Sequence, residues 1–161
     1  LGNLLREKRF SLRVCCGILI ILTGCASVGP RYSEEAEINP YKARIFIYRP
    51  HPPIDILLNN TYAYVHAPDI YQEDQKLTGL NVNAYTYVDI EPGITVFSAR
   101  DKLTGGSLAD IEINAGAGQQ YYLRYLFNFG VMTMEISFKI IPQAIAREEI
   151  RKTRYTPSLQ K

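Results

Sequence analysis

Cys15, Cys16 and Cys25 are the only cysteines in the chain. The first two lie in an apolar run and the third closes it. Everything beyond Cys25 therefore lacks a disulfide framework, a thiolate metal site and a cysteine nucleophile. There are two histidines, His51 in a proline-rich segment and His66 at the end of an apolar one. A zinc site would need Asp or Glu to complete it, so both read as surface or half-buried histidines rather than ligands or bases. Asp69, Glu73 and Asp74 could gather around calcium, but they lack the alternate-residue spacing and the closing bidentate Glu of a calcium loop. They read instead as a polar hairpin tip. Ser98, Ser107 and Ser137 sit in no Gly-x-Ser-x-Gly elbow. Gly116-Ala117-Gly118 is too short for a dinucleotide fingerprint, and the chain beyond it looks like strand rather than helix. No catalytic residue, metal or cofactor is expected, and a hydrolase is the weakest reading.

Tyrosine is the one compositional excess, with 12 residues and no tryptophan. By strand alternation Tyr62 and Tyr64 share a face, as do Tyr85 and Tyr87, and Tyr121 and Tyr125. Sheet packing is their plain role. The functional alternative is an exposed aromatic face that anchors a protein or glycan through apolar rings and polar tips. Tyr85 and Tyr87 alternate with Val88 and Ile90, so if that pair fills the core both tyrosines lie outside it.

The segments that carry these residues divide at Cys25. Residues 1–24 open on the basic stretch Leu5-Arg6-Glu7-Lys8-Arg9, continue through the apolar run Val14 to Leu22, and end on Thr23 and Gly24. These are the zones of a secretory signal. The apolar run is far shorter than the roughly 20 residues that span a bilayer. Leu22-Thr23-Gly24-Cys25 resembles the bacterial lipobox. That resemblance implies diacylation of Cys25 through sulfur, cleavage before it, and acylation of the new amine. Ala26 rather than Asp after the cysteine implies the outer membrane, facing the periplasm. One myristoyl chain binds only marginally, whereas two or three long chains would hold the protein in place.

The leader holds four of the 18 basic residues and one of the 16 acidic ones, which leaves 14 against 15 in the remainder. The basic balance belongs to the leader, and the near-neutral remainder gives no electrostatic reason to expect nucleic acid. Residues 25–41 comprise the lipidated cysteine and a tether without sustained period, broken by Pro30 and Pro40. As a flexible chain it would reach roughly 20 Å. Its acidic run Glu34-Glu35-Ala36-Glu37 reads as solvated.

From Lys42 the dominant period is two. Strands are expected at Lys42 to Arg49, Asp69 to Gln72, Lys76 to Leu80, Ala84 to Ile90, Ile94 to Arg100, Leu108 to Asn114, Gln120 to Phe127 and Met132 to Ile140. Glu91-Pro92-Gly93 suits a type II turn. In the last strand Met132, Met134, Ile136, Phe138 and Ile140 face one way. After Pro142, which suits the first helical position, Gln143 to Lys152 reads as a short C-terminal helix, and residues 156–161 as a fraying tail. The expectation is an all-β fold over residues 42–155: an antiparallel β-sandwich, immunoglobulin-like or similar, with that short helix.

Three blocks also carry a family resemblance. Lys42-Ala43-Arg44-Ile45-Phe46-Ile47-Tyr48-Arg49-Pro50 resembles the opening strand of the bacterial family called domain of unknown function 2846 (DUF2846). The second block is Gly79-Leu80 with Ala84-Tyr85-Thr86-Tyr87-Val88-Asp89-Ile90-Glu91-Pro92-Gly93, and the third is Asn114-Ala115-Gly116 with Gln120-Tyr121-Tyr122-Leu123-Arg124. The similarity spans about residues 42 to 155. It implies a small envelope protein, often a lipoprotein, with an antiparallel β-sandwich core and no established catalytic residues. Ile94-Thr95 and Asp74-Gln75 depart from the family pattern, and Pro50 to Ala67 has no counterpart in it. The reading that results is a membrane-anchored envelope lipoprotein with a non-catalytic binding or assembly module. The alternative is a peptidoglycan- or glycan-binding lipoprotein that uses exposed tyrosines.

Overall fold

The computed structural model describes residues 29–33, 38–51, 67–129 and 134–159. The leader, Cys25, the acidic run, Tyr62, Tyr64, His66 and Met132 lie outside the described residues. In chain order the elements are β1 (Ala43–Arg49), β2 (Asp69–Gln72), β3 (Gln75–Gly79), β4 (Ala84–Ile90), β5 (Gly93–Arg100), β6 (Ser107–Ala115), β7 (Gln120–Phe129), β8 (Met134–Ile140), α1 (Gln143–Ile150) and β9 (Arg154–Tyr155). The turn between β4 and β5 uses Gly93 at φ 139, a conformation that side chains resist and glycine adopts freely.

A five-stranded sheet runs in the order β8-β7-β1-β4-β9, and a four-stranded sheet in the order β3-β2-β5-β6. Their inner faces meet in one core, where Ile45, Ile47, Val88, Leu123 and Phe138 pack with Ile70, Leu77, Phe97 and Ile113. This two-layer sandwich with one short C-terminal helix is the architecture the alternation predicts. Most neighbouring strands are antiparallel, as expected. However, β1 pairs parallel with β7, Ile45 opposite Tyr121 and Ile47 opposite Leu123, and β9 pairs parallel with β4. Both parallel joins link strands distant in sequence, where no tight turn dictates direction.

All seven residues of β1 are buried. Ala43, Ile45 and Ile47 face the sandwich core, while Arg44, Phe46 and Tyr48 alternate onto the opposite, outer face. A strand covered on both sides reads as a near-continuous apolar run. Helix α1 supplies part of the outer cover. Ala146 and Ile150, one turn apart, join Phe46, Tyr48, Tyr85 and Tyr122 in one buried cluster. A helix of eight residues is marginal alone. Here Glu149 ties it down, accepting a hydrogen bond from Tyr48 Oη at 2.6 Å and an ion pair from Arg124. Pro142 stands one residue ahead of the helix with extended ψ of 137°, and its carbonyl accepts from the amides of Ile145 and Ala146. The helix ends at Ile150, where Thr153 Oγ1 donates to the Ile150 carbonyl at 2.6 Å, two residues short of the expected Lys152.

Both ends of the described chain close on the same sheet edge. Arg154 and Tyr155 form the short strand β9 beside Ala84 and Tyr85, an element that alternation does not predict. The segment expected to fray is tied back by Thr156 N to the Tyr85 carbonyl and Leu159 N to the Leu77 carbonyl, each at 2.7 Å. Within the stretch read as a tether, residues 29–33 lie against this edge. Arg31 bridges Arg154, and Tyr155 N donates to the Pro30 carbonyl at 2.9 Å. In the last full strand Phe138 is buried as expected, whereas Ile140, at the strand end, is 53% exposed.

Candidate functional site

Alternation along β1 and β4 places Arg44, Phe46, Tyr85 and Tyr87 on the outer face of the five-stranded sheet, where cross-strand pairing sets Phe46 opposite Tyr87 and Tyr48 opposite Tyr85. The expectation that Val88 and Ile90 fill the core holds. The companion expectation of exposed tyrosines does not hold for Tyr85, which is only 6% exposed, while Tyr87 is half-buried. The reason is a second layer of rings. Tyr32 from the N-terminal segment meets Phe46 and Tyr85 edge-on at 5.6 and 5.7 Å. Tyr155 from β9 lies 5.4 Å from Tyr85 and 5.5 Å from Tyr87. Phe46 stacks on Tyr122 at 4.9 Å. Such pairs add about 0.5–1.5 kcal/mol each beyond their buried area.

Between these rings a cleft of roughly 300 Å³ remains, lined also by Pro30, Arg31, Ser33, Arg44 and Gln120. Arg44 forms its floor. Its guanidinium lies 4.7 Å from the centre of the Tyr87 ring, and its Nε and Nη2 donate to the two oxygens of Asp89 at 2.6 and 2.7 Å. The Asp89 hydrogen bond raises the Arg44 pKa against the opposing effect of burial. The pair is thus a planar, two-pronged and charge-compensated unit. Burial, followed by the nearby Tyr155 and Tyr87 hydroxyls, pushes the Tyr85 phenol up to about 12. Burial and the neighbouring Tyr87 likewise raise Tyr155, against a backbone hydrogen bond from Ser158. The cleft therefore offers aromatic walls, protonated hydroxyls, the neutralised guanidinium of Arg44 and, from the exposed Arg31, a second guanidinium.

The other residues singled out by type go elsewhere. The three acids of the first hairpin have three separate partners. Asp69 pairs with Lys76, Asp74 with Arg100 at 3.2 Å, and Glu73 Oε1 accepts from Thr95 Oγ1 at 3.1 Å and Val96 N at 2.9 Å. The Glu73 bonds, with its own amide donating to the Val96 carbonyl, hold its left-handed backbone at φ 51 and offset a cost of about 1–2 kcal/mol. Ser107 donates to Asp110 at 2.9 Å at the start of β6, Ser98 is buried in β5, and Ser137 is half-buried in β8. Gly116-Ala117-Gly118 makes the turn from β6 to β7, where Gly116 N donates to Tyr121 Oη and Gly118 N to the Lys42 carbonyl. His51 is exposed after β1. Among the described residues no group of His, Cys, Asp and Glu is placed to hold a metal ion.

Four residues of the cleft escape local sequence reading: Tyr32, Arg44, Phe46 and Tyr155. Arg44 and Phe46 were within reach, since alternation against Ile45 and Ile47 sets them on the Tyr85 face. Tyr32 and Tyr155 come from short segments without periodicity. A family model described as a protein of unknown function, DUF2846, matches residues 40–137. It takes in the cleft floor from β1, β4 and β7, while the walls from residues 30–33 and Tyr155 fall outside it. No curated protein matches the chain.

Proposed function

The chain belongs to DUF2846, a family of unknown function, and from its own residues we propose that it is a membrane-anchored lipoprotein of the cell envelope whose sandwich is a non-catalytic binding or assembly module. The observation that carries this reading is the ring-walled cleft on the outer face of the five-stranded sheet. A concave apolar site with a few convergent polar groups is the usual form of a ligand seat. The groups around it suit holding rather than turnover. A general base works best with a pKa near the operating pH, whereas the Tyr85 and Tyr155 hydroxyls are pushed upward and stay protonated.

The anchor is Cys25, carrying acyl chains in the outer membrane with the domain facing the periplasm. The docked segment at 29–33 gives this proposal a spatial consequence. Four Cα steps separate Cys25 from Gly29, a span of at most ~14 Å. The cleft rim would then ride close to the bilayer surface rather than on a long free tether.

Two measurements test the reading. Labelled fatty acid should enter the wild type and not Cys25→Ser, and equal labelling of both would remove the anchor. A photoreactive residue at Ser33, on the cleft rim, should capture a discrete envelope component in cells, and Tyr87→Ala should abolish that capture. Capture indifferent to Tyr87, or none at all, would remove the binding module.

A further inference from the structure

We infer that the β9 edge of the sandwich, together with residues 29–33, is a cationic face that docks on the anionic phospholipid surface of the membrane holding the anchor. The inference rests on reading Cys25 as the anchor and goes further by naming what the domain itself touches beside it.

Charge distribution supplies the first argument. Residues 151–161 hold Arg151, Lys152, Arg154 and Lys161. They take four of the 14 basic residues beyond Cys25 and none of the 15 acidic ones, which leaves 10 against 15 elsewhere. The topology sets this charge on one side. β9 ends the five-stranded sheet opposite β8, and β6, at the edge of the second sheet, lies beside β8. There β6 and β8 expose Asp110, Glu112 and Glu135 against Lys139. The sandwich is thus basic along β9 and acidic along the far edge, a separation that orients it on a negative surface.

Unpaired cations supply the second. The bridge between residues 29–33 and β9 sets Arg31 directly opposite Arg154. Residues opposed in this way put their side chains on one face, where like charges repel. Both are exposed, as is Lys152 just before β9, and among the described residues none of the three has an acidic partner. Other surface cations do: Lys42 pairs with Glu91, Arg100 with Asp74 and Arg151 with Glu148. A phosphodiester between the two guanidiniums offers oxygens to both and relieves their repulsion.

Position supplies the third. Gly29 lies at most ~14 Å of chain from Cys25, and Tyr155 N ties this end to β9 through the Pro30 carbonyl. The acyl chains therefore bring the basic edge, not the acidic one, to the headgroups. Cations attract an anionic leaflet over about a Debye length, ~8 Å at physiological salt. Leu159 stands 70% exposed on the same side, its amide held by the Leu77 carbonyl of β3, the edge strand opposite β6. An apolar side chain beside cations suits the bilayer interface. A free phosphate could meet the guanidiniums, but only a surface reaches Leu159 as well.

The test uses the full lipidated chain on phosphatidylcholine vesicles with or without phosphatidylglycerol. A fluorophore sits at Pro157→Cys, exposed beyond β9, or at Asn114→Cys, exposed on the acidic edge, and a headgroup-level doxyl lipid quenches it. Quenching from Pro157→Cys should be at least twofold greater with phosphatidylglycerol. That excess should vanish at roughly 1 M salt, where the Debye length is about 3 Å, and should survive inorganic phosphate at equal ionic strength. No excess should appear at Asn114→Cys. Arg31→Gln with Arg154→Gln should abolish the excess, and Lys102→Gln, exposed in the β5–β6 loop, should leave it. Arg154→Glu should also abolish it while stability in urea holds or rises, since Glu opposite Arg31 replaces repulsion with attraction. Quenching indifferent to phosphatidylglycerol, to salt or to the two arginines, loss of the excess to inorganic phosphate, or equal quenching at both reporters would overturn the inference. If the wild type then still floats with vesicles and Cys25→Ser does not, the anchor stands and the docking face falls. If the wild type does not float, or Cys25→Ser floats equally with neutral vesicles, both fall.

Discussion

One substitution made at three tyrosines of the same sheet face separates the contribution of burial from that of hydrogen bonding. Tyr48, Tyr85 and Tyr122 are 0%, 6% and 1% exposed, so burial barely distinguishes them. Their hydroxyls differ. Tyr48 Oη donates to the carboxylate of Glu149 at 2.6 Å, and a hydrogen bond to a charged group contributes about 1.5–3 kcal/mol. Tyr48→Phe also leaves Glu149 with Arg124 as its remaining partner, so a loss of about 2–3 kcal/mol is expected. Tyr122 Oη donates to the neutral Gln120 side chain at 2.8 Å and accepts only a long hydrogen bond, 3.5 Å, from Arg147 Nε, and Tyr122→Phe should cost about 1–1.5 kcal/mol. Tyr85→Phe keeps the ring contacts to Tyr32 and Tyr155 and removes a hydroxyl without a protein partner. Tyr85 Oη is not among the buried polar atoms left without a partner, so water can serve it, and the expected change lies within about 0.5 kcal/mol of zero. Urea unfolding of the purified variants reads all three, provided the slope is unchanged and the midpoint alone moves. A loss above about 1 kcal/mol in Tyr85→Phe, or a Tyr48→Phe no weaker than Tyr85→Phe, would refute the reasoning, because it would show that hydrogen-bond partners do not rank these positions.

Two further outcomes concern the same face. A Cβ on Gly29 would sit 1.9 Å from the Tyr155 carbonyl oxygen, backbone that cannot swing aside, so Gly29→Ala should release residues 29–33 from β9 together with the two edge-on contacts of Tyr32. Those contacts contribute about 1–3 kcal/mol, so limited proteolysis in this segment should speed up roughly tenfold or more, and an unchanged cleavage rate would count against the docked strap. Alkaline pH should destabilise the domain through Tyr85. Its phenol titrates near 10.0 when unfolded and at about 12 when folded, so its contribution is intact below about pH 10 and is lost as pH rises through 12. Discounted for screening by water at the phenol, the loss is about 1–3 kcal/mol. Unfolding midpoints measured across this window should fall less steeply in Tyr85→Phe than in the wild type, and parallel curves would sink the assignment.

The cleft illustrates which parts of the molecule could be read from its sequence. Alternation placed β4 at Ala84–Ile90 to the residue, because Val88 and Ile90 on one side and Tyr85 and Tyr87 on the other leave one register compatible with a buried face. Turn chemistry at Pro92-Gly93 and the change of period after Pro142 set the neighbouring boundaries in the same local way. What alternation cannot supply is the cover. It reports which side of a sheet a residue faces, and says nothing of what chain returns to lie on that side. Tyr32 returns from a stretch without sustained period and Tyr155 from a strand of two residues, and both meet Tyr85 from far along the chain. The same limit hid the parallel join of β1 and β7. Yet the sequence of β1 does carry a sign of the cover. Ala43-Arg-Ile-Phe-Ile-Tyr-Arg49 has large side chains on both faces, Ile45 and Ile47 on one, Phe46 and Tyr48 on the other. A strand of that composition belongs in the middle of a sheet covered on both sides. Once β4 is laid beside it, Phe46 meets Tyr87 and Tyr48 meets Tyr85, so the outer cover over β1 must extend to those tyrosines as well. The burial of Tyr85 is therefore dictated by the partner strand, where its own strand's alternation pointed to solvent.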